Sequence, residues 1–95
     1  MTEKSILEKQ LKASLDEWKA DIDKMEATAR KASADAQAQY DAEIMRLREK
    51  HDEAQKHLHK VRESSNSAWD DVRNGAEESA ASMRKAITDA WARLT

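Results

Sequence analysis

With 95 residues and 39% hydrophobic content, much of it alanine, the chain is limited to one domain with a modest core. The 17 basic and 19 acidic residues are spread evenly, without the basic block that tracks a phosphate backbone, so nucleic acid is not an expected partner. Zero cysteines exclude disulfides and thiol chemistry, and zero prolines, one glycine and zero phenylalanines leave little material for turns or a sheet. Ala, Glu, Lys, Arg, Leu, Gln and Met dominate, all at the favourable end of helix propensity, so the expected class is all-α. No run of about 18 apolar residues and no charged-then-apolar leader is present, so the chain is expected to be neither membrane-spanning nor secreted.

In the first third, Leu11, Trp18, Met25 and Ala32 recur every seven residues, interleaved with Leu15, Ile22, Ala29 and Ala36 at the same period. This is a coiled-coil seam, and these eight residues are the expected oligomer interface. Half of the stripe is alanine, which adds about one methyl of burial each, so self-association or a folded-back chain is needed for stability. On this reading Trp18→Asp or Ile22→Asp lowers the oligomer state.

From the middle onward the period becomes eleven. Leu47, Leu58, Trp69, Ala80 and Trp91 form one row, Val61, Val72, Met83 and Leu94 another, and Arg62, Arg73 and Arg84 a third. Eleven residues in three turns give about 3.67 per turn and a straight or slightly right-handed path, whereas the heptads impose a left-handed supercoil. The alanine-rich stretch from Ala29 to Ala42 is where the period changes. Glu8 with Lys12, Glu26 with Arg30, Asp52 with Lys56 and Asp89 with Arg93 place an acid one turn before a base, worth about 0.2 to 0.5 kcal/mol per pair.

A helix break is expected at Ser64, Ser65, Asn66 and Ser67, which compete for backbone hydrogen bonds. Asn66 suits a left-handed C-terminal cap, and Ser67 with Asp70 reads as a capping-box start. The predicted elements are a long helix over 3–63, a turn or kink over 64–67 and a second helix over 68–94. A hairpin folded there pairs Val61 with Trp69, Leu58 with Val72, Ala54 with Ala76, Leu47 with Met83, Ile44 with Ile87 and Tyr40 with Trp91. The eleven-residue rows nevertheless run through the serines without a shift, as in one continuous helix, so both architectures stay open.

The stretch Leu15-Asp16-Glu17-Trp18-Lys19-Ala20-Asp21-Ile22-Asp23-Lys24, then Ala34-Asp35-Ala36 with Tyr40, Arg46-Leu47-Arg48, and Ala68-Trp69-Asp70-Asp71-Val72 with Gly75 resembles a family of short bacterial coiled-coil stress-response proteins. The resemblance covers most of the chain. In that family a glycine often stands at the place of Asn66, and an Ala-Trp pair often follows where this chain has Ala80-Ala81, a departure for which Trp91 is the candidate replacement. The resemblance implies a cytoplasmic, non-enzymatic protein. The eleven-residue repeats are also similar to those of exchangeable apolipoproteins and desiccation-tolerance proteins, whose helices lie on lipid or order under stress.

Three features bear on chemistry. His51, His57 and His59 are six and two residues apart, a poor fit to the three-or-four spacing of a helical metal site. His51, on the apolar row, is read as a polar seam residue that fixes register, although a parallel oligomer would stack its copies. The three tryptophans are read as core residues; lipid anchoring is weakened by the alanine-rich face, the absence of phenylalanine and the lack of a clear excess of flanking bases. Gly75 is read as a tolerated helical glycine that permits close approach of another helix, with Ala76 beside it. No nucleophile–base pairing or phosphate loop is present, so no catalytic, cofactor or metal residue is assigned. Tyr40, Ile44, Leu47, Ala54, Leu58, Val61, Trp69, Val72, Ala76, Met83, Ile87, Trp91 and Leu94 are the expected helix-packing set. The expected function is a homo-oligomeric coiled-coil scaffold, and the rival is a stress-induced helix on lipid surfaces or protecting other proteins.

Overall fold

Three helices, α1 (Glu3–Ala29), α2 (Ala34–Glu63) and α3 (Trp69–Leu94), follow one another in a computed structural model that describes residues 2–94. Each packs on both others, giving an antiparallel three-helix bundle of 51 × 19 × 18 Å. A 30-residue helix rises about 45 Å at 1.5 Å per residue, so the bundle is close to one helix long.

The expected long helix over 3–63 is divided in two. Arg30 is still helical (φ −62°, ψ −22°), but Ser33 is extended (ψ 161°) and caps α2, its hydroxyl accepting from the Ala36 amide. The Lys31 and Ala32 amides tighten the turn by donating to the carbonyls of Thr28 and Ala29, and Gln37 Nε2 donates to the Ala29 carbonyl at 3.3 Å. These bonds satisfy groups that the end of α1 leaves without helical partners. Asp35 lies in the first turn of α2, where the helix dipole favours a negative charge.

The second break falls where the serines predict it. Ser64 leaves α2 in the extended conformation (ψ 140°), with its hydroxyl donating to the Val61 carbonyl. Two details of the expected turn are corrected. Asn66 is not left-handed, because no described residue has a positive φ. Ser67 does not cap α3; its hydroxyl pairs with that of Ser65, and α3 begins at Trp69 with the Ala68 carbonyl accepting from Val72.

The core is a column of apolar side chains from all three helices. Leu11, Leu15, Trp18, Ile22, Met25 and Ala29 come from α1, Ile44, Leu47, Ala54, Leu58 and Val61 from α2, and Ala76, Ala80, Met83, Ile87 and Ala90 from α3. Tyr40, Trp69, Val72, Trp91 and Leu94 pack against its margin, half-buried. Burying each large aliphatic side chain contributes about 1.5 to 3 kcal/mol. The alanines contribute proximity instead, since Ala54 and Ala90 are fully buried and let neighbouring helices close on them.

Candidate functional site

The surfaces expected to do the work are the apolar seams, and the structure places them inside the bundle. Six of the eight expected interface residues, Leu11, Leu15, Trp18, Ile22, Met25 and Ala29, are buried by the chain's own α2 and α3. Ala32 and Ala36 are half-buried beside the first turn. The seam is therefore covered from within the chain, because the unexpected turn at Arg30–Ser33 lets α2 fold back along it.

The α2–α3 pairing expected for a hairpin is observed in its polar contacts. Lys50 Nζ donates to Ser82 Oγ at 3.2 Å, His57 lies against Gly75, and Arg93 is ion-paired to Glu43. The first two pairs stand within one helical turn of the expected register, whereas Glu43 with Arg93 is about six residues from it, nearly two turns, a gap spanned by the long arginine side chain. A Cβ at Gly75 would sit 3.3 Å from His57 Cε1, so the glycine does permit close approach, to a side chain rather than to backbone.

Polar links also fix α1. Arg62 Nε donates to Glu8 at 2.7 Å, Arg73 pairs with Glu3 at 2.9 Å, and Lys4 Nζ donates to the Ser64 carbonyl at 3.0 Å. At the other end Arg48 bridges Glu26 and Asp23. Glu26 also pairs with Arg30 at 2.8 Å, and its pKa lies below the ordinary carboxylate value, chiefly through the hydrogen bond from Arg48. Glu8 and Arg93, expected to pair along their own helices, reach across to other helices instead.

His51 lies between α1 and α2, and its Nε2 is 2.9 Å from the Leu15 carbonyl. A carbonyl only accepts, so this nitrogen carries the proton. His51 thus joins two helices at one axial level, in the manner of a register-fixing residue. His59 pairs with Glu63 at 3.2 Å along α2, and His57 faces Gly75, so the three histidines take separate roles. Among the described residues no group of three His, Asp or Glu side chains is disposed to hold a metal.

A groove of about 1040 Å³ runs between α1 and α2, with Leu15, Leu58 and His51 among its lining residues. Lys12, Lys19, Lys56, Lys60 and Arg62 line it with Asp16 and Asp52. Lys12 with Asp16 and Asp52 with Lys56 stand one turn apart, and Arg62 is held by Glu8, so much of this charge is compensated locally. Outside the grooves, Ile6 (43% exposed) and Met45 (64%) are the large apolar side chains left in solvent among the described residues. No described helix is long and apolar enough to cross a membrane. Comparison with family models, curated proteins and solved structures yields no match to the chain.

Proposed function

We propose that this chain is a non-catalytic helical scaffold that acts by burying helix against helix and assembles with copies of itself. The observation that carries this reading is the apolar stripe of α1 and α2. It proceeds in steps of three and four residues from Leu11 through Met25, Ala29, Ala32, Ala36, Tyr40 and Ile44 to Val61, interrupted by the polar His51 between Leu47 and Ala54, with no loss of helical phase at the turn. Such a stripe serves pairing within one chain or between two. A bacterial, cytoplasmic, stress-related setting is part of the proposal and rests on the sequence resemblance alone.

Light scattering from micromolar to several hundred micromolar tests it, alongside circular dichroism with and without anionic vesicles. The scaffold predicts a mass above 10.8 kDa at high concentration and helicity that vesicles do not change. A constant mass of 10.8 kDa, with helicity gained only on vesicles, overturns it in favour of the lipid-surface reading.

A further inference from the structure

We infer that copies of this chain assemble by exchanging α1, with the Arg30–Ser33 turn straightening so that α1 and α2 become one helix; this rests on the self-assembling reading above. The first turn is built like an interrupted helix. Arg30 is still in the helical region, no described residue has a positive φ, and the turn holds neither glycine nor proline. Arg30, Lys31 and Ala32 are good helix formers, whereas the second turn holds Ser64, Ser65, Asn66 and Ser67, all mediocre. The Ser33 hydroxyl that holds the closed form caps at 3.4 Å, a long hydrogen bond.

Because the stripe crosses the turn in register, a straightened helix keeps Ala29, Ala32 and Ala36 on the same face as Met25 and Ile44. A second copy running antiparallel would then receive α1 in the place the first copy's own α1 occupied. Each contact of α1 with the other helices, from Glu8–Arg62 to Leu15–His51, re-forms between chains, while the turn's own bonds, the Ser33 cap and the Gln37 bond to the Ala29 carbonyl among them, are exchanged for continuous helical ones. The straightened helix is roughly 90 Å long, against 51 Å for the closed bundle.

Two substitutions separate the forms. Position 34 is the first residue of α2, and Ser33 before it is already extended, so Ala34→Pro suits the closed bundle. Inside a continuous helix the same proline removes a hydrogen bond and clashes with the preceding turn. Ser33→Ala removes the cap and favours straightening.

The test is refolding from denaturant at several hundred micromolar, followed by scattering mass and an intrachain spin-label distance. The chain has no cysteine, so Lys24→Cys with Glu49→Cys supplies the two label sites, and labelled chains are diluted into excess unlabelled protein. These positions adjoin the Asp23–Arg48 pair in the closed form and lie about 38 Å apart in a straightened helix. Exchange predicts a doubled mass with the long distance, a larger dimer fraction for Ser33→Ala, and a dimer weakened at least about a hundredfold by Ala34→Pro with helicity retained. A doubled mass with the short distance overturns exchange and leaves self-assembly standing. A dimer with the long distance that Ala34→Pro does not weaken also overturns it, by excluding this turn as the hinge. A mass that never leaves that of one chain overturns both.

Discussion

Glu26 shows how a single carboxylate ties two helices and a turn. It accepts from Arg48 of α2 and from Arg30 at the end of its own helix, and both hold its pKa below the ordinary value, Arg48 more strongly. A depressed folded-state pKa contributes stability above the unfolded pKa and loses it as pH falls through the folded one. The urea midpoint of Glu26→Gln is therefore expected to lie below that of the parent at neutral pH, with the gap closing below about pH 4. At Gly75 the expected sign is the opposite. Alanine there gains about 1 kcal/mol of helix propensity, and at 3.3 Å the contact asks only a few tenths of an ångström of give from the half-buried His57 ring, a side chain rather than backbone. Gly75→Ala should raise the thermal midpoint by about 4 to 8 °C, as followed by circular dichroism.

The interior of each helix was largely legible in the sequence, and its ends less so. The heptad rows and the two apolar eleven-residue rows mark residues that are now buried or half-buried, and the serines at 64–67 mark the second turn. The first turn escaped because its signals are ordinary ones: Ser33 as a cap and Asp35 in the next turn, a spacing that also occurs as Ser14 with Asp16 inside unbroken α1. Nor does apolar phase betray it, since Ala29, Ala32 and Ala36 read as one helix face. The long-range partners of Glu8, Arg48 and Arg93 were not legible, because a chain's own neighbours at one-turn spacing satisfy the same charge rule. This finding changes the expected outcome of Ile22→Asp. A carboxylate in a buried position of the chain's own core has no partner, so helicity at 25 °C should fall, rather than only the oligomer mass. Met83→Ala, in the same column on α3, should cost about 2 to 5 kcal/mol in urea unfolding, because close-packed neighbours refill its volume only in part.

At the scale of the whole molecule, the number of helices matters as much as their packing. Three antiparallel helices put the start of α1 beside the start of α3, as Glu3 with Arg73 records, and the start of α2 beside the end of α3, as Glu43 with Arg93 records. Glu3 and Leu94 consequently stand at opposite ends of a 51 Å rod. Tension applied between these two residues runs along the helix axes. It must slide the interfaces past one another, breaking the Glu8–Arg62, Leu15–His51 and Glu26–Arg48 links together rather than peeling them one at a time. A two-helix hairpin held by its ends would unzip under the same load, so the unexpected turn at Arg30–Ser33 makes the chain a strut.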